Sequence, residues 1–86
     1  MNKPTFEEYL KFSLEELKFS MEEEIKATDK ITGALDVLDV FDLCWNIEDK
    51  YNCDINDDLV GDPETYIGKP VQELIQDLYH ATNFAN

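Results

Sequence analysis

Apolar residues recur at alternating three- and four-residue steps in two long segments and one shorter segment, and this spacing predicts three helices. Thr5 and Glu8 have the spacing of a capping box, so we expect the first helix to begin there and to run to about Lys26. The stripe expected to face the core consists of Phe6, Leu10, Leu14, Leu17, Met21 and Ile25.

Phe12 and Phe19 fall roughly opposite that stripe, in the repeated sequences KFSLEEL and KFSMEEE. In one interpretation, neighbouring Lys stems shield the two rings, or the helix breaks at Ser13 or Ser20. In the other, the rings form a second contact face for a partner or for self-association.

The second helix, expected over about residues 35–51, has two apolar stripes. The predicted core stripe is Val40, Leu43, Cys44, Ile47 and Tyr51. The second stripe is Val37, Leu38, Phe41 and Trp45, with Asp42 and Asp49 on one side and Glu48 on the other. This helix therefore has more apolar surface than one core-facing side requires.

The rest of the chain is an acidic connection followed by a last helix. The connection has room for one short helical turn, around residues 57–60 or 63–67. The last helix opens at Pro70, ends near Ala81 and places Val71, Leu74, Ile75 and Leu78 on one face. Residues 83–86 are expected to fray, with Phe84 tucked back or disordered. Since no useful alternating strand pattern is visible, the prediction is one all-α domain over residues 1–86.

The charge narrows the classes of partner. Seven Lys or Arg residues against twenty Asp or Glu residues give a net charge of −13, which disfavours direct contact with nucleic acid or an anionic membrane. A basic surface on another protein is the expected partner. No apolar run reaches the roughly 18 residues of a membrane span, and the first residues lack a signal-peptide pattern, so we expect a cytoplasmic protein.

Residues able to perform chemistry are few and isolated. Cys44, Cys53 and the single His80 fit neither a disulfide framework nor a zinc site, and His80 is expected as a surface cation at a helix end. The stretch DINDD resembles the start of a calcium loop, but Leu59 and Thr65 occupy the positions that need Gly and Glu. We therefore expect no metal, no cofactor and no enzymatic activity.

Residues 36–58, DVLDVFDLCWNIEDKYNCDINDD, resemble the central segment of acyl carrier proteins, and residues 69–75 resemble the start of that family's last helix. The resemblance implies a small four-helix bundle with three main helices and one short helix. Val37 stands where the family has the serine that carries the 4′-phosphopantetheine arm. A valine has no hydroxyl to modify, so the resemblance implies a carrier-like protein without the arm.

What the resemblance retains is the family's recognition surface on the second helix. The corresponding positions here are Leu38, Phe41, Asp42, Trp45, Glu48 and Asp49. Aromatic anchors surrounded by acids are typical of a protein interface. The alternative is that Phe41 and Trp45 are core residues of a helix enclosed on two sides.

Two functions from different classes remain open. The first is a non-enzymatic, carrier-like module that binds a basic partner through its second helix. The second is a small acidic inhibitor or immunity protein that blocks a nuclease, a toxin or a nucleic-acid-binding complex by phosphate mimicry. Acids in paired rows along one face would favour mimicry, whereas acids at a rim around Trp45 would favour docking.

Overall fold

The computed structural model describes residues 3–56 and 63–84, which form a mostly helical fold with a small sheet. The elements follow in the order α1 (Phe6–Met21), α2 (Val37–Tyr51), β1 (Cys53–Ile55), a short 3₁₀ helix (Pro63–Tyr66), α3 (Val71–Ala81) and β2 (Thr82–Phe84). The predicted helical class is confirmed in this coarse form. One of the two positions predicted for a short turn is occupied by the 3₁₀ helix, and the other, 57–60, lies outside the described residues.

Helix α1 begins as predicted but ends earlier. Thr5 caps it through a bond from the Glu8 backbone N–H to the Thr5 hydroxyl (3.2 Å), which completes the capping box. The helix continues through Ser13, whose hydroxyl donates to the Tyr9 carbonyl (2.8 Å). The predicted end at Lys26 is wrong, because Glu22 takes a left-handed conformation (φ 56°) that stops the helix after Met21.

The buried face of α1 is rotated from the predicted stripe. Tyr9, Ser13 and Leu17 are the buried residues of this helix. Most of the predicted stripe, Phe6, Leu10, Leu14, Met21 and Ile25, is only half-buried. The difference arises because Tyr9 packs against rings from distant elements, with its ring centroid 5.0 Å from that of Tyr79 and 6.2 Å from that of Phe84.

Helix α2 has a second capping box, made by two acids. The Asp36 carboxylate accepts from the backbone N–H groups of Leu38 (2.8 Å) and Asp39 (3.2 Å), and the Asp39 carboxylate accepts from the Asp36 N–H (3.1 Å). The predicted core stripe is confirmed: Val40, Leu43, Cys44 and Ile47 are buried and Tyr51 is half-buried. This capping fixes the start of the helix at Val37, two residues after the predicted start at residue 35.

The connection between α1 and α2 is tied to the start of α3. The Ile31 N–H donates to the Lys69 carbonyl (2.9 Å), and the Gly68 N–H donates to the Ile31 carbonyl (2.9 Å). The Val71 N–H then donates to the Asp29 carbonyl (2.8 Å), which satisfies a helix-end donor that has no side-chain cap. The predicted inner face of α3 is confirmed, since Val71, Leu74, Ile75 and Leu78 are all buried.

The two strands correct the all-α prediction, and they show that residues 83–84 are paired in a strand rather than frayed. Strands β1 and β2 pair antiparallel, with Cys53 opposite Phe84 and Ile55 opposite Thr82. Three residues a strand are too few for alternation to be recognised in the sequence. Phe84 lies against the aromatic rings, with its centroid 5.8 Å from that of Tyr79, so it is tucked back, which is one of its two predicted positions. Residues 85–86 of the segment predicted to fray lie outside the described residues.

A hydrogen bond between Tyr9 and Thr82 fastens β2 to α1. The two hydroxyl oxygens are 2.9 Å apart, and Thr82 donates its proton to the Leu78 carbonyl (2.7 Å), so Tyr9 is the donor of the shared bond. Burial raises the pKa of Tyr9 well above its usual value and keeps this donor protonated. The bond therefore links the first and last elements of the fold at one buried point.

We predict that Tyr9→Phe lowers the free energy of unfolding by about 1 kcal/mol, because it removes one buried hydrogen bond. Tyr51→Phe is the matched control, since the Tyr51 hydroxyl makes no hydrogen bond to any described residue, and its cost should stay below about 0.5 kcal/mol. Urea unfolding measures both. Equal costs for the two variants would contradict the assigned role of the Tyr9 hydroxyl.

Candidate functional site

The second apolar stripe of α2 lies at the surface. The exposed fractions are 44% for Val37, 66% for Leu38, 36% for Phe41 and 66% for Trp45. We call these four residues the apolar strip. The structure leaves the Phe41 and Trp45 rings outside the core.

Helix geometry explains this exposure. At about 100° per residue, Leu38 and Trp45 point away from the side that carries Leu43 and Ile47. That opposite side packs into the single cluster of buried residues formed with α1, α3 and β1. The fold covers one side of α2 only, and the apolar side chains of the other side remain in solvent.

Helix α1 extends the strip with Phe19, whose side chain is 81% exposed. Phe19 and Trp45 line one shallow cleft together with Glu16 and Asp42. The Asn46 side-chain amide donates to the Glu16 carboxylate (3.1 Å) and joins the two helices at this point. The sequence indicated an outward position for Phe19, but its place beside Trp45 depends on the packing of α1 on α2.

The opposite end of the strip meets the 3₁₀ helix. Val37 lines a groove with Pro63 and with Ile67, which is 50% exposed. Val37 is also the first residue of α2, directly after the capping Asp36. The exposed apolar surface thus runs from Ile67 along the outer side of α2 to Phe19, longer than the sequence predicted.

The three predicted acids do not behave alike. Asp42 and Asp49 are exposed and make no hydrogen bond or ion pair with any described residue, so both carboxylates stand free beside the strip. Glu48 is half-buried, and its carboxylate accepts from the Ile55 backbone N–H (3.0 Å). Glu48 therefore fastens the last residue of β1 to α2, a role that the sequence did not indicate.

Phe12 and Phe19 have different surroundings. The Phe12 ring is half-buried, 5.8 Å from the Tyr51 ring between centroids, and the Lys50 ammonium lies 5.6 Å from its centre. The ring is therefore shielded, but by Tyr51 and Lys50 of α2 and not by the neighbouring lysine of its own repeat that the sequence suggested. The predicted self-association through both rings therefore loses Phe12 as a free contact, and Phe19 alone stays open to solvent.

The charges around the strip are largely uncompensated. Among the described residues, one ion pair forms, between Lys18 and Glu24 (3.0 Å), and both side chains are mostly exposed. Since the chain has far more acids than bases, its own Lys residues cannot neutralise the surface. The potential around α2 is consequently negative and attracts basic surfaces.

The remaining candidate groups form no second site in the described part of the chain. Cys44 is buried, Cys53 is half-buried, and the two form no disulfide. Burial raises the pKa of the Cys53 thiol, which disfavours the reactive thiolate. His80 lies in the last turn of α3, as predicted.

Residues 3–56 and 63–84 contain no group of three or more potential ligands arranged to hold a metal ion, and Leu59 of the calcium-like stretch lies outside them. None of the helices in these ranges has the length and apolar character that crossing a membrane requires. Comparison with protein-family models, with curated proteins and with solved structures finds no match for the chain.

We predict that Trp45→Gln changes the free energy of unfolding by less than about 0.5 kcal/mol, because the ring is at the surface. Ile47→Ala, two positions along the same helix, should cost about 2–5 kcal/mol because Ile47 is fully buried. Denaturant titration of both variants checks this contrast. A loss above about 2 kcal/mol for Trp45→Gln would place the ring in the core.

Proposed function

We propose that this protein is a non-enzymatic interaction module that docks a basic partner protein through the outer side of α2 and uses no phosphopantetheine arm. The observation that carries the proposal is the apolar strip, exposed along α2 and bordered by the unpaired carboxylates of Asp42 and Asp49. An apolar centre with a charged rim is the composition of a protein interface.

The two parts of this surface have different tasks in the proposal. Trp45 is a large, rigid side chain with two thirds of its surface left for a partner to cover, and Phe41 lies beside it with about one third exposed. Large aromatic residues supply much of the binding energy in protein interfaces. The surrounding carboxylates attract a basic partner over a distance and orient it. Binding should therefore become faster and tighter as the salt concentration falls.

The resemblance to acyl carrier proteins supports the proposal that the outer side of α2 is the docking surface. In the proposal, the three α-helices and the 3₁₀ helix are the counterparts of a carrier protein's four helices. Val37 is the exposed first residue of α2, after a capping Asp36, at the position where a carrier protein has its modified serine. We propose that this chain keeps the docking helix of such a protein without its prosthetic group.

Phosphate mimicry remains the second candidate because the net charge of −13 favours association with a basic cleft. A phosphate mimic needs carboxylates at its contact surface and gains nothing from bare aromatic rings between them. The exposure of Leu38 and Trp45 therefore favours docking over mimicry.

A pair of charge-reversed variants tests the proposal. Asp42→Lys with Asp49→Lys places positive charge beside the strip, and Asp54→Lys with Glu73→Lys makes the same change of net charge at exposed positions outside α2. Each tagged variant captures proteins from a lysate of the source cells at low and high salt, and mass spectrometry identifies and quantifies them. Glu48 stays unchanged because it bonds to the Ile55 N–H.

We predict that the first double variant lowers recovery of a basic protein at least about tenfold, the change that corresponds to 1.4 kcal/mol of lost affinity. The double variant Leu38→Ser with Trp45→Gln should lower the recovery of this protein by a similar factor, and the control double variant should recover it as the unchanged protein does. Equal recovery by both charge-reversed variants would contradict docking through α2. If the recovered protein binds nucleic acid and both charge-reversed variants lower its recovery equally, the result would instead favour phosphate mimicry.

A further inference from the structure

The cleft at the end of the apolar strip has the composition of a receptor for a planar cation. Its walls include two exposed aromatic rings from two helices, Phe19 of α1 and Trp45 of α2, and two carboxylates, Glu16 and Asp42. We infer that this cleft binds an arginine side chain of the partner protein. The inference rests on the proposed function and names the partner group that this part of the surface recognises.

A guanidinium group matches both features of the cleft. Its flat faces stack on aromatic rings, and its edge presents several N–H donors to carboxylate oxygens. A lysine ammonium can lie over a ring or contact a carboxylate, but it lacks the planar fork that serves both at once. The combination of two rings and two carboxylates in one cleft thus favours arginine over lysine.

Other rings of the same protein are already covered by its own cations. The Lys3 ammonium lies 5.0 Å from the centre of the Tyr79 ring, and the Lys69 ammonium lies 5.4 Å from the centre of the Tyr66 ring. Phe19 and Trp45 have no cation or ring contact with any described residue. Lys18, which lies beside Phe19 in the sequence, is paired with Glu24 instead.

In this inference, the guanidinium group comes from a different protein. The chain contains no arginine, and all seven of its basic residues are lysines. A second copy would also bring a net charge of −13 to a surface that is already acidic. These two facts exclude a second copy of this chain as the source of the guanidinium group.

One carboxylate of the cleft is already fixed in position. The Asn46 amide donates to one oxygen of Glu16 (3.1 Å), which restrains the side chain. The Asp42 carboxylate has no partner among the described residues and stays available on the opposite helix. An incoming guanidinium group would therefore meet one preorganised carboxylate and one unpaired carboxylate, which lowers the ordering cost of binding.

The test uses N-acetylarginine amide as the probe, N-acetylcitrulline amide as its uncharged analogue and N-acetyllysine amide as the ammonium analogue. Trp45 is the single tryptophan, so its fluorescence reports on the cleft, and ¹H–¹⁵N NMR spectra follow the Asn46 side chain and the Phe19 amide. The ionic strength is held constant with sodium chloride. The variants are Phe19→Ser and Asp42→Asn, with Asp54→Asn as the matched control at an exposed position outside α2 and outside the cleft.

The arginine probe should shift both signals on a millimolar scale, the lysine probe should bind more weakly, and the citrulline probe should give no saturable shift. Asp42→Asn should weaken arginine binding about tenfold, since a charge-assisted hydrogen bond is lost, and Asp54→Asn should leave it unchanged. Phe19→Ser should weaken arginine binding and also lower recovery of the basic partner. Equal binding of citrulline and arginine, or full binding by Phe19→Ser and Asp42→Asn, would overturn the inference.

Failure of the inference and failure of the proposed function are distinguishable. If Phe19→Ser recovers the partner normally while Leu38→Ser with Trp45→Gln does not, docking through α2 stands and the arginine cleft is overturned. If the cleft binds the arginine probe but recovery ignores every change in α2, the cleft is supported as a cation site and the proposed docking surface fails.

Discussion

The constraint on which this structure depends is that α2 has apolar side chains on two neighbouring sides and the fold encloses only one of them. The inner side, with Ile47 at its centre, joins the single buried cluster of the described fold. The aromatic group of Tyr9, Tyr79 and Phe84 completes that cluster and ties β2 to α1. No described element covers Trp45, and leaving a large ring in water forgoes favourable burial. In our proposal, a partner that covers this side buries the apolar surface that folding leaves exposed, and this burial stabilises the complex.

The distribution of charge makes the same surface selective. With one ion pair among the described residues and far more acids than bases, the protein has a strongly negative potential, which in our proposal attracts a basic partner. Three carboxylates accept hydrogen bonds from backbone N–H groups and so stabilise the fold: Asp36 and Asp39 at the start of α2, and Glu48 beside β1. Asp42 and Asp49, which flank the strip, make no such hydrogen bond with any described residue. The hydrogen-bonded acids therefore stabilise the fold, and we propose that the unbonded acids recognise the partner.

Local sequence signals predicted much of this structure, and long-range contacts account for what they missed. The capping box at Thr5, the inner stripe of α2 and the inner face of α3 are encoded within one or two helical turns, so periodicity and capping suffice to find them. The sheet joins segments far apart in the chain, and its strands are too short to show alternation. The candidate site shows the same difference. The two stripes of α2 follow from periodicity in the sequence, whereas the cleft between Phe19 and Trp45 depends on how two helices pack.

Site-specific photo-crosslinking tests the central claim, that the outer side of α2 is a docking surface, most directly. A benzoylphenylalanine replaces Leu38 on the strip in one variant and Gln76, an exposed residue of α3, in the other. Both are irradiated in the source cells, and the adducts are identified by mass spectrometry. The account predicts a crosslink to a basic protein from position 38 and none from position 76. Adducts with the same proteins from both positions, or from position 76 alone, would contradict it.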